Sequence, residues 1–396
     1  MDHVSLGARE LSGTRAAAST SNFTAACKSR LRIALAEPLF LIRCVVSPGT
    51  TQRGAEGCCP LRFAQSDVDE CRLPTMKIVI PGGTGQVGRI LCRAFASAGD
   101  EVVVLSRKAN PERSCRCVQW DGESVGDWAK ELEDATVVIN LAGRSVNCRY
   151  GKKNRREILD SRVNSVRAIR SAIDKAKNPP RVWLQASTAT IYAHRFDAPN
   201  DEFGGAIGGN ESNAPDAWRF SIEVAKAWES AVDESALLPN TRIVVMRSAM
   251  IMSPDQDGIF AQLLGLVRCG LGGRAGHGRQ FISWIHEFDF IHAIRFLIDN
   301  RDLAGVVNIC SPNPLPNSEF MRELRGAWGT TIGIPSSNWM LEVGAFFMRT
   351  ETELILKSRR VVPARLRQHG FQFQFPHWRD AVNELCSRYR NASLGV

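Results

Sequence analysis

The stretch Lys77-Ile-Val-Ile-Pro-Gly82-Gly83-Thr84-Gly85-Gln86-Val87-Gly88-Arg89 decides the fold. A short apolar run leads into glycines at 82, 85 and 88, and a helical pattern follows from Val87 to Ala98. A strand that turns tightly into a helix leaves free backbone N–H groups at the helix start. The helix dipole adds partial positive charge there, so such a turn suits a pyrophosphate. Gly82 serves the sharp turn, Gly85 lets the backbone approach the phosphates, and Gly88 permits close helix–strand packing. Thr84, Gln86 and Val87 lie among them and belong to the same cradle. Turns also collect glycine, so the triplet alone is weak. Its place after a strand, at a helix start and before a second strand, Glu101–Leu105, makes it specific.

Outward from this turn the chain alternates. Apolar, β-branched runs recur at Lys77–Ile80, Glu101–Leu105, Arg116–Trp120, Thr136–Leu141, Arg181–Ala186, Arg242–Arg247 and Val306–Ile309. Helical patterns lie between most of them, at Gly88–Ala98, Asn154–Ala176 and Trp218–Ser235. Strands apolar throughout and separated by helices mean a parallel sheet covered on both faces. The fold class is therefore α/β, a Rossmann-like doubly wound parallel sheet. Ligands of such sheets bind beyond the C-terminal strand ends. There lie the glycine turn, Ser106-Arg107, Leu141-Ala142-Gly143, Ser187-Thr188 and Ser248.

Three segments are predicted: an extension over residues 1–75, a dinucleotide-binding domain over 76–311, and a small, mostly helical, substrate-side domain over 312–396. Residues 1–75 lack periodicity and hold five of the twelve cysteines. They read as a dispensable extension, disordered or translated from upstream of a true start at Met76; organelle import is the second reading, against which stand seven acidic residues. The glycine-rich, basic run Arg268–Gln280 interrupts the pattern and reads as a mobile loop over a site. Helices are expected at Asn317–Ala327, about 339–357, and Pro376–Arg388.

With 44% hydrophobic residues the chain can bury a sizeable core. Its longest apolar stretch near the N-terminus, Ile33–Val46, is broken by Glu37, Pro38 and Arg43, too short for a bilayer's roughly 20 apolar residues. No membrane association is expected. The seven cysteines after Met76 are scattered without C-x-x-C spacing, which argues for reduced thiols in the cytoplasm and against a metal or a disulfide framework. The net charge is +9, of which +7 lies beyond the extension. Much of it falls in Arg144–Arg170, where nine basic residues face Glu157 and Asp160. No aromatic platforms are interleaved there, so an anionic cofactor or small-molecule substrate is expected rather than nucleic acid.

An NAD site places Asp or Glu at the end of the second strand, on the ribose 2′-hydroxyl. Here that position is Ser106, followed by Arg107. A hydroxyl with a guanidinium grips a 2′-phosphate that a carboxylate repels. NADP(H) is therefore expected over NAD(H), with Arg89 as a second positive charge.

These residues resemble the extended short-chain dehydrogenase/reductase superfamily, and within it the epimerase family protein branch, which carries a small extra C-terminal domain. The resemblance runs from Met76 to about Arg388. It rests on Val138-Ile-Asn-Leu-Ala-Gly143, Ser161-Arg162, Ala227-Trp228-Glu229, Gly270-Leu-Gly-Gly273, Gly278 to His286 with Asp289, Ser311-Pro-Asn-Pro314, and Arg360-Val-Val-Pro363 with Gly370-Phe371. It implies a Rossmann-like domain binding a nicotinamide dinucleotide, with a cleft against the C-terminal part. It also implies an oxidoreductase or epimerase acting on a small or nucleotide-linked substrate.

The superfamily's chemistry uses a tyrosine to exchange a proton, a lysine four residues on to lower its pKa, and a Ser or Thr to fix the carbonyl. The resemblance puts that hydroxyl at Thr188 and an auxiliary asparagine at Asn164. The Tyr-x-x-x-Lys pair is missing. Anchored on Glu229, Ser221 stands at the tyrosine position and Ala225 at the lysine position. Lys226, one step off, is a candidate for the cofactor ribose, and Tyr192 for proton transfer. Arg279 and Gln280, with Arg149 from the other side of the cleft, are candidate substrate contacts. His286 and Asp289 are read as structural, with Asp289 capping the next helix. A non-catalytic, dinucleotide-sensing regulatory protein, for example one tied to cell division, is the alternative to an enzyme.

Overall fold

The computed structural model describes residues 75–108, 115–211, 215–233, 238–336 and 356–394. Residues 1–74 of the expected extension and most of the helix expected at 339–357 lie outside them.

All seven expected strands form. They are β1 (Lys77–Pro81), β2 (Glu101–Ser106), β3 (Arg116–Gln119), β4 (Val137–Asn140), β5 (Val182–Thr188), β6 (Arg242–Ser248) and, after three short strands, β10 (Gly305–Ile309). They make one parallel sheet in the order β10-β6-β5-β4-β1-β2-β3. The inner strands β1, β2 and β4 are apolar in succession because side chains alternate between two buried faces, while the edge strand β3 is partly exposed. Ile78 and Ile80 join Val102, Val104, Val137 and Ile139 in one core, against α1 (Gln86–Ser97) and α5 (Glu287–Asp299). Val79 joins Val103, Leu105, Val138 and Trp183 in the other, against α2 (Lys152–Lys175) and α3 (Asp216–Asp233). Helices on both faces make the sheet doubly wound. Burial of one such Val or Ile contributes about 1.5–3 kcal/mol, so Ile80→Ala is expected to cost more than a surface change anywhere on α2.

Further elements build a third core. Strands β7 (Met250–Met252) and β9 (Trp284–His286) pair in parallel, while β8 (Phe281–Ile282) and β11 (Leu315–Pro316) pair antiparallel. With α4 (Ile259–Arg268), α6 (Asn317–Trp328) and the C-terminal helix Trp378–Leu394 they enclose a third core. Residues before and after Ser311 share it, among them Phe260, Trp284, Phe320 and Trp378; Trp378 stacks on Phe320 at 4.0 Å and donates its ring N–H to the Phe320 carbonyl. Among the described residues no helix is long and apolar enough to cross a membrane.

The run Arg268–Gln280, read as a mobile loop, makes several hydrogen bonds to its surroundings. Gln280 is buried and donates to the Ala275 carbonyl, Asn317 accepts from Ala275, and Arg325 donates to the Gly272 carbonyl. Gly276 donates to Ser336 and Ile334 donates to Gly270. These bonds tie the run to α6 and to residues 334–336.

His286 and Asp289 hold the C-terminal part to the sheet. The cap expected of Asp289 is made instead by His286, whose Nδ1 accepts from the Phe288 N–H. Asp289 accepts from the backbone of Gln374 and Phe375 at 2.7 and 2.9 Å. Phe375 in turn stacks on the His286 ring at 4.1 Å.

Candidate active site

The chain runs from β1 outward to β3 and then crosses to β4 on the other side of β1, so the switch point lies between β1 and β4. There the glycine turn meets the β4 loop backbone to backbone. Gly82 has φ +77°, and a Cβ on it would stand 2.7 Å from the Ala142 nitrogen. A Cβ on Gly88 would stand 2.4 Å from the Gly83 Cα, so Gly88 lets α1 dock against the turn. Gly85 differs: a Cβ there meets only the Gly82 carbonyl oxygen, at 3.5 Å. It is the N-cap of α1, with no side-chain cap and no acidic residue in the first turn. The leading N–H groups of α1 thus lack an intrahelical partner and a competing carboxylate. This is a fit for the phosphates of a dinucleotide.

Ser106 and Arg107 close β2 at the expected place, with Arg107 exposed and the Ser106 hydroxyl accepting from the Lys108 N–H at 3.4 Å. Arg89 does not join them. Its guanidinium pairs with Asp257 at 2.6 Å, which neutralises the second positive charge read from the sequence. At the end of β4, Asn140 accepts from the Ala142 N–H and donates to Gln185, which shapes Leu141-Ala142-Gly143 against the turn. Gln86, Val87, Leu141, Ser187 and Ser248 line a cavity of about 340 Å³ between the turn and the ends of β4, β5 and β6.

A second cavity, of about 140 Å³, opens at the next residue of β5. Thr188, Ser221 and Ala225 line it together with Tyr150, Arg162 and Phe220. The positions assigned to the carbonyl-fixing hydroxyl, the missing tyrosine and the missing lysine therefore share one wall. The Thr188 oxygen accepts from the Thr190 N–H at 3.1 Å, which leaves its proton for the cavity. Ser187 differs, since its hydroxyl donates to Glu229 at 2.5 Å. Ala225 is fully buried beside Ala189, Ile191 and Tyr192, and its methyl side chain supplies no cation to this wall.

Other expected residues lie elsewhere. Tyr192 is buried, its hydroxyl bonded to Asn308 at 3.0 Å and to Arg247 at 3.1 Å. Burial pushes its phenol above the ordinary value despite Arg247, the reverse of what a proton-exchanging tyrosine needs. Asn164 bonds to Glu123 at 3.3 Å, away from Thr188, because it sits two residues, about 200°, around α2 from the cavity-lining Arg162. Lys226 is exposed and lies by Gly209, outside both cavities. Arg149 is absent from both linings, although its neighbour Tyr150 enters the second. Arg279 is exposed, and Gln280 is spent on fixing the glycine-rich run.

Arg162 is the cavity residue that function-directed reading of the sequence passed over. Its signal was helical phase: Ile158 and Arg162, four apart, face the same way on α2. Two N–H groups on one guanidinium nitrogen reach the carbonyls of Arg144 and Ile158, both at 3.0 Å, and its carbon lies 5.0 Å from the Trp228 ring. Burial lowers its pKa to about 10, which leaves it cationic at neutral pH.

The sheet, the switch point and the uncapped glycine turn define a Rossmann-type dinucleotide-binding protein. Residues 78–310 match the NAD dependent epimerase/dehydratase family, and residues 337–385 match a domain of unknown function, DUF1731. The chain belongs to the NAD dependent epimerase/dehydratase family and, within it, to the epimerase family proteins. It is 30% identical to human epimerase family protein SDR39U1 over 79% of this chain and 100% of the relative. It is 28% identical to epimerase family protein YfhF of Bacillus subtilis, over 79% of this chain and 98% of that one. A crystal structure of human SDR39U1 with NADPH is similar over 79% of this chain and 99% of that chain, at 28% identity and a TM-score of 0.68. The chain is thus an NAD(P)-binding protein of this family.

Proposed function

We propose that the chain is an NADP(H)-dependent oxidoreductase or epimerase with an atypical active site, acting on a small anionic compound whose carbonyl or hydroxyl meets Thr188. One observation carries the reading: consecutive residues of β5, Ser187 and Thr188, line the two cavities. A nicotinamide dinucleotide in the first supplies or accepts hydride. Thr188 then donates to the substrate oxygen in the second, and Ser187, tied to Glu229, fixes the strand end. Ser221 is far too weak an acid to replace tyrosine, so the proton comes from water or another group. NADP(H) preference is supported by Arg107 and by the want of a carboxylate at Ser106; it also agrees with the NADPH in the human relative's structure. In this reading residues 76–311 hold the dinucleotide and 312–396 close the substrate side, in the cytoplasm.

The empty Tyr-Lys positions, Ser221 and Ala225, favour a second reading, a protein that senses the dinucleotide without reacting. Calorimetric titration with NADPH and NADH, repeated on Arg107→Asp, comes first. Turnover of small oxo-acids, followed by NADPH fluorescence, comes second. Tighter NADPH binding, reduced or reversed by Arg107→Asp, with turnover lost in Thr188→Ala, supports the enzyme. NADPH binding without turnover supports the sensor, and equal affinity for both dinucleotides removes the NADP(H) assignment.

A further inference from the structure

We propose that Arg162 is the carboxylate receptor of the second cavity, so that the substrate, on the reading above, is a small monocarboxylate with an apolar or aromatic body. A guanidinium has five N–H donors. At Arg162, two on one terminal nitrogen serve the carbonyls of Arg144 and Ile158. The opposite edge, Nε–H with the second NH2 group, has no acceptor among the described residues. Contact with the Trp228 ring holds the guanidinium plane. The free edge matches a carboxylate, which takes two parallel N–H bonds side-on.

The surroundings are unusual for an arginine. Arg144 is paired with Glu157 and Arg155 with Asp216, but among the described residues no Asp or Glu lines this cavity. A cation partly withdrawn from water is seldom left without an acid, and here the missing acid belongs to the ligand. The rest of the wall selects what the acid is attached to. Val146, Ile158 and Val224 are apolar, and Tyr150 and Phe220 meet edge to face at 5.0 Å. Among the described residues Arg162 is the one cation in the lining, which suits a monoanion better than a phosphate dianion. A carboxylate held on Arg162 brings the neighbouring carbons of the same molecule into the cavity that Thr188 lines.

The test uses the full chain saturated with NADPH and titrated calorimetrically with benzoate, benzamide and phenyl phosphate. Benzoate is expected to bind about ten-fold or more tightly than benzamide, and Arg162→Gln to weaken benzoate by a similar factor while the NADPH dissociation constant stays within about two-fold. Arg162→Lys is expected to recover part of the loss, since it restores charge without the fork. Equal binding of benzoate and benzamide overturns the proposal, and so does tighter binding of phenyl phosphate. Arg162→Gln that weakens NADPH and benzoate alike also overturns it, because Arg162 then serves the β4 loop. Should Arg162→Gln fail to fold, the benzoate–benzamide comparison on the unaltered protein decides alone. NADPH affinity is read separately, so failure of the dinucleotide reading remains distinguishable.

Discussion

Arg247 donates to the Tyr192 hydroxyl at 3.1 Å while two of its other nitrogens hold Glu229 at 2.9 and 2.7 Å. The cation beside Tyr192 is committed to a carboxylate, and burial outweighs its pull toward a phenolate. Glu229 also accepts from Ser187, so a largely buried chain of bonds runs from Asn308 through Tyr192, Arg247 and Glu229 to the end of β5. Such a network fixes geometry when every member is satisfied. It sets the strand end that carries Thr188.

Tyr192→Phe should therefore act on stability rather than chemistry. The change leaves Arg247 and Asn308 each short of a buried partner, an expected cost of about 1–3 kcal/mol. Urea denaturation measures it. NADPH affinity and any turnover should stay within a few-fold. A collapse of turnover at unchanged stability and NADPH affinity would return Tyr192 to the proton-transfer role.

Two glycines separate folding from binding. Gly88→Ala forces a methyl to 2.4 Å from the Gly83 Cα, backbone against backbone with nothing flexible to yield. A loss of about 3 kcal/mol or failure to fold is expected. Gly85→Ala meets only a carbonyl oxygen at 3.5 Å, and as an N-cap change it should cost about 1 kcal/mol or less. If phosphates occupy that space, NADPH affinity falls by about ten-fold or more, or about 1.4 kcal/mol per factor of ten. Thermal melts and NADPH titration of both variants check the pair. Unchanged NADPH affinity in Gly85→Ala would move the phosphates elsewhere.

The attachment of the C-terminal helix carries a pH signature. Burial raises the Glu384 carboxyl pKa, but bonds from His286, at 2.8 Å, and from Arg388 outweigh it and leave the group below its ordinary range. A carboxyl depressed in the folded state stabilises above its unfolded pKa, and the contribution is lost as pH falls through the folded value. Glu384→Gln should cost about 1 kcal/mol at neutral pH. That difference from the unaltered protein should shrink once the medium is more acidic than the ordinary carboxylate range. A cost independent of pH would mean that Glu384 acts through packing alone.

The sheet was legible in the sequence because strands buried on both faces read as unbroken apolar runs, and the glycine turn because its spacing is a backbone requirement. Side-chain direction was less legible. Asn164 and Arg162 are two residues apart, and only the phase of α2 against the sheet decides that the arginine meets the cavity. The basic glycine-rich run suggested mobility, and its bonds to Asn317 and Arg325, distant in sequence, could not be read from the run itself. His286 and Asp289 were read as structural, but which of them caps α5 depends on Gln374 and Phe375, which arrive from 85 and 86 residues away. Long-range backbone partners leave no local pattern.

Thr188 is the residue on which the enzymatic reading stands. Its proton is free for the cavity, Ser187's is taken by Glu229, and Ala225 stands where the lysine is missing. A positioned acid or base contributes about 10²–10⁴-fold, so turnover on generic carbonyl compounds should be slow without the tyrosine. Thr188→Ala should abolish what remains, while Thr188→Ser, which keeps the hydroxyl, should retain a measurable part. Ser221→Ala should change turnover little, because its hydroxyl does not titrate near neutrality. NADPH affinity should be unchanged in all three, since the dinucleotide cavity is lined by Ser187 and not by Thr188. Single-turnover oxidation of NADPH measures the series. Brisk turnover that survives Thr188→Ala would move the catalytic centre away from the second cavity.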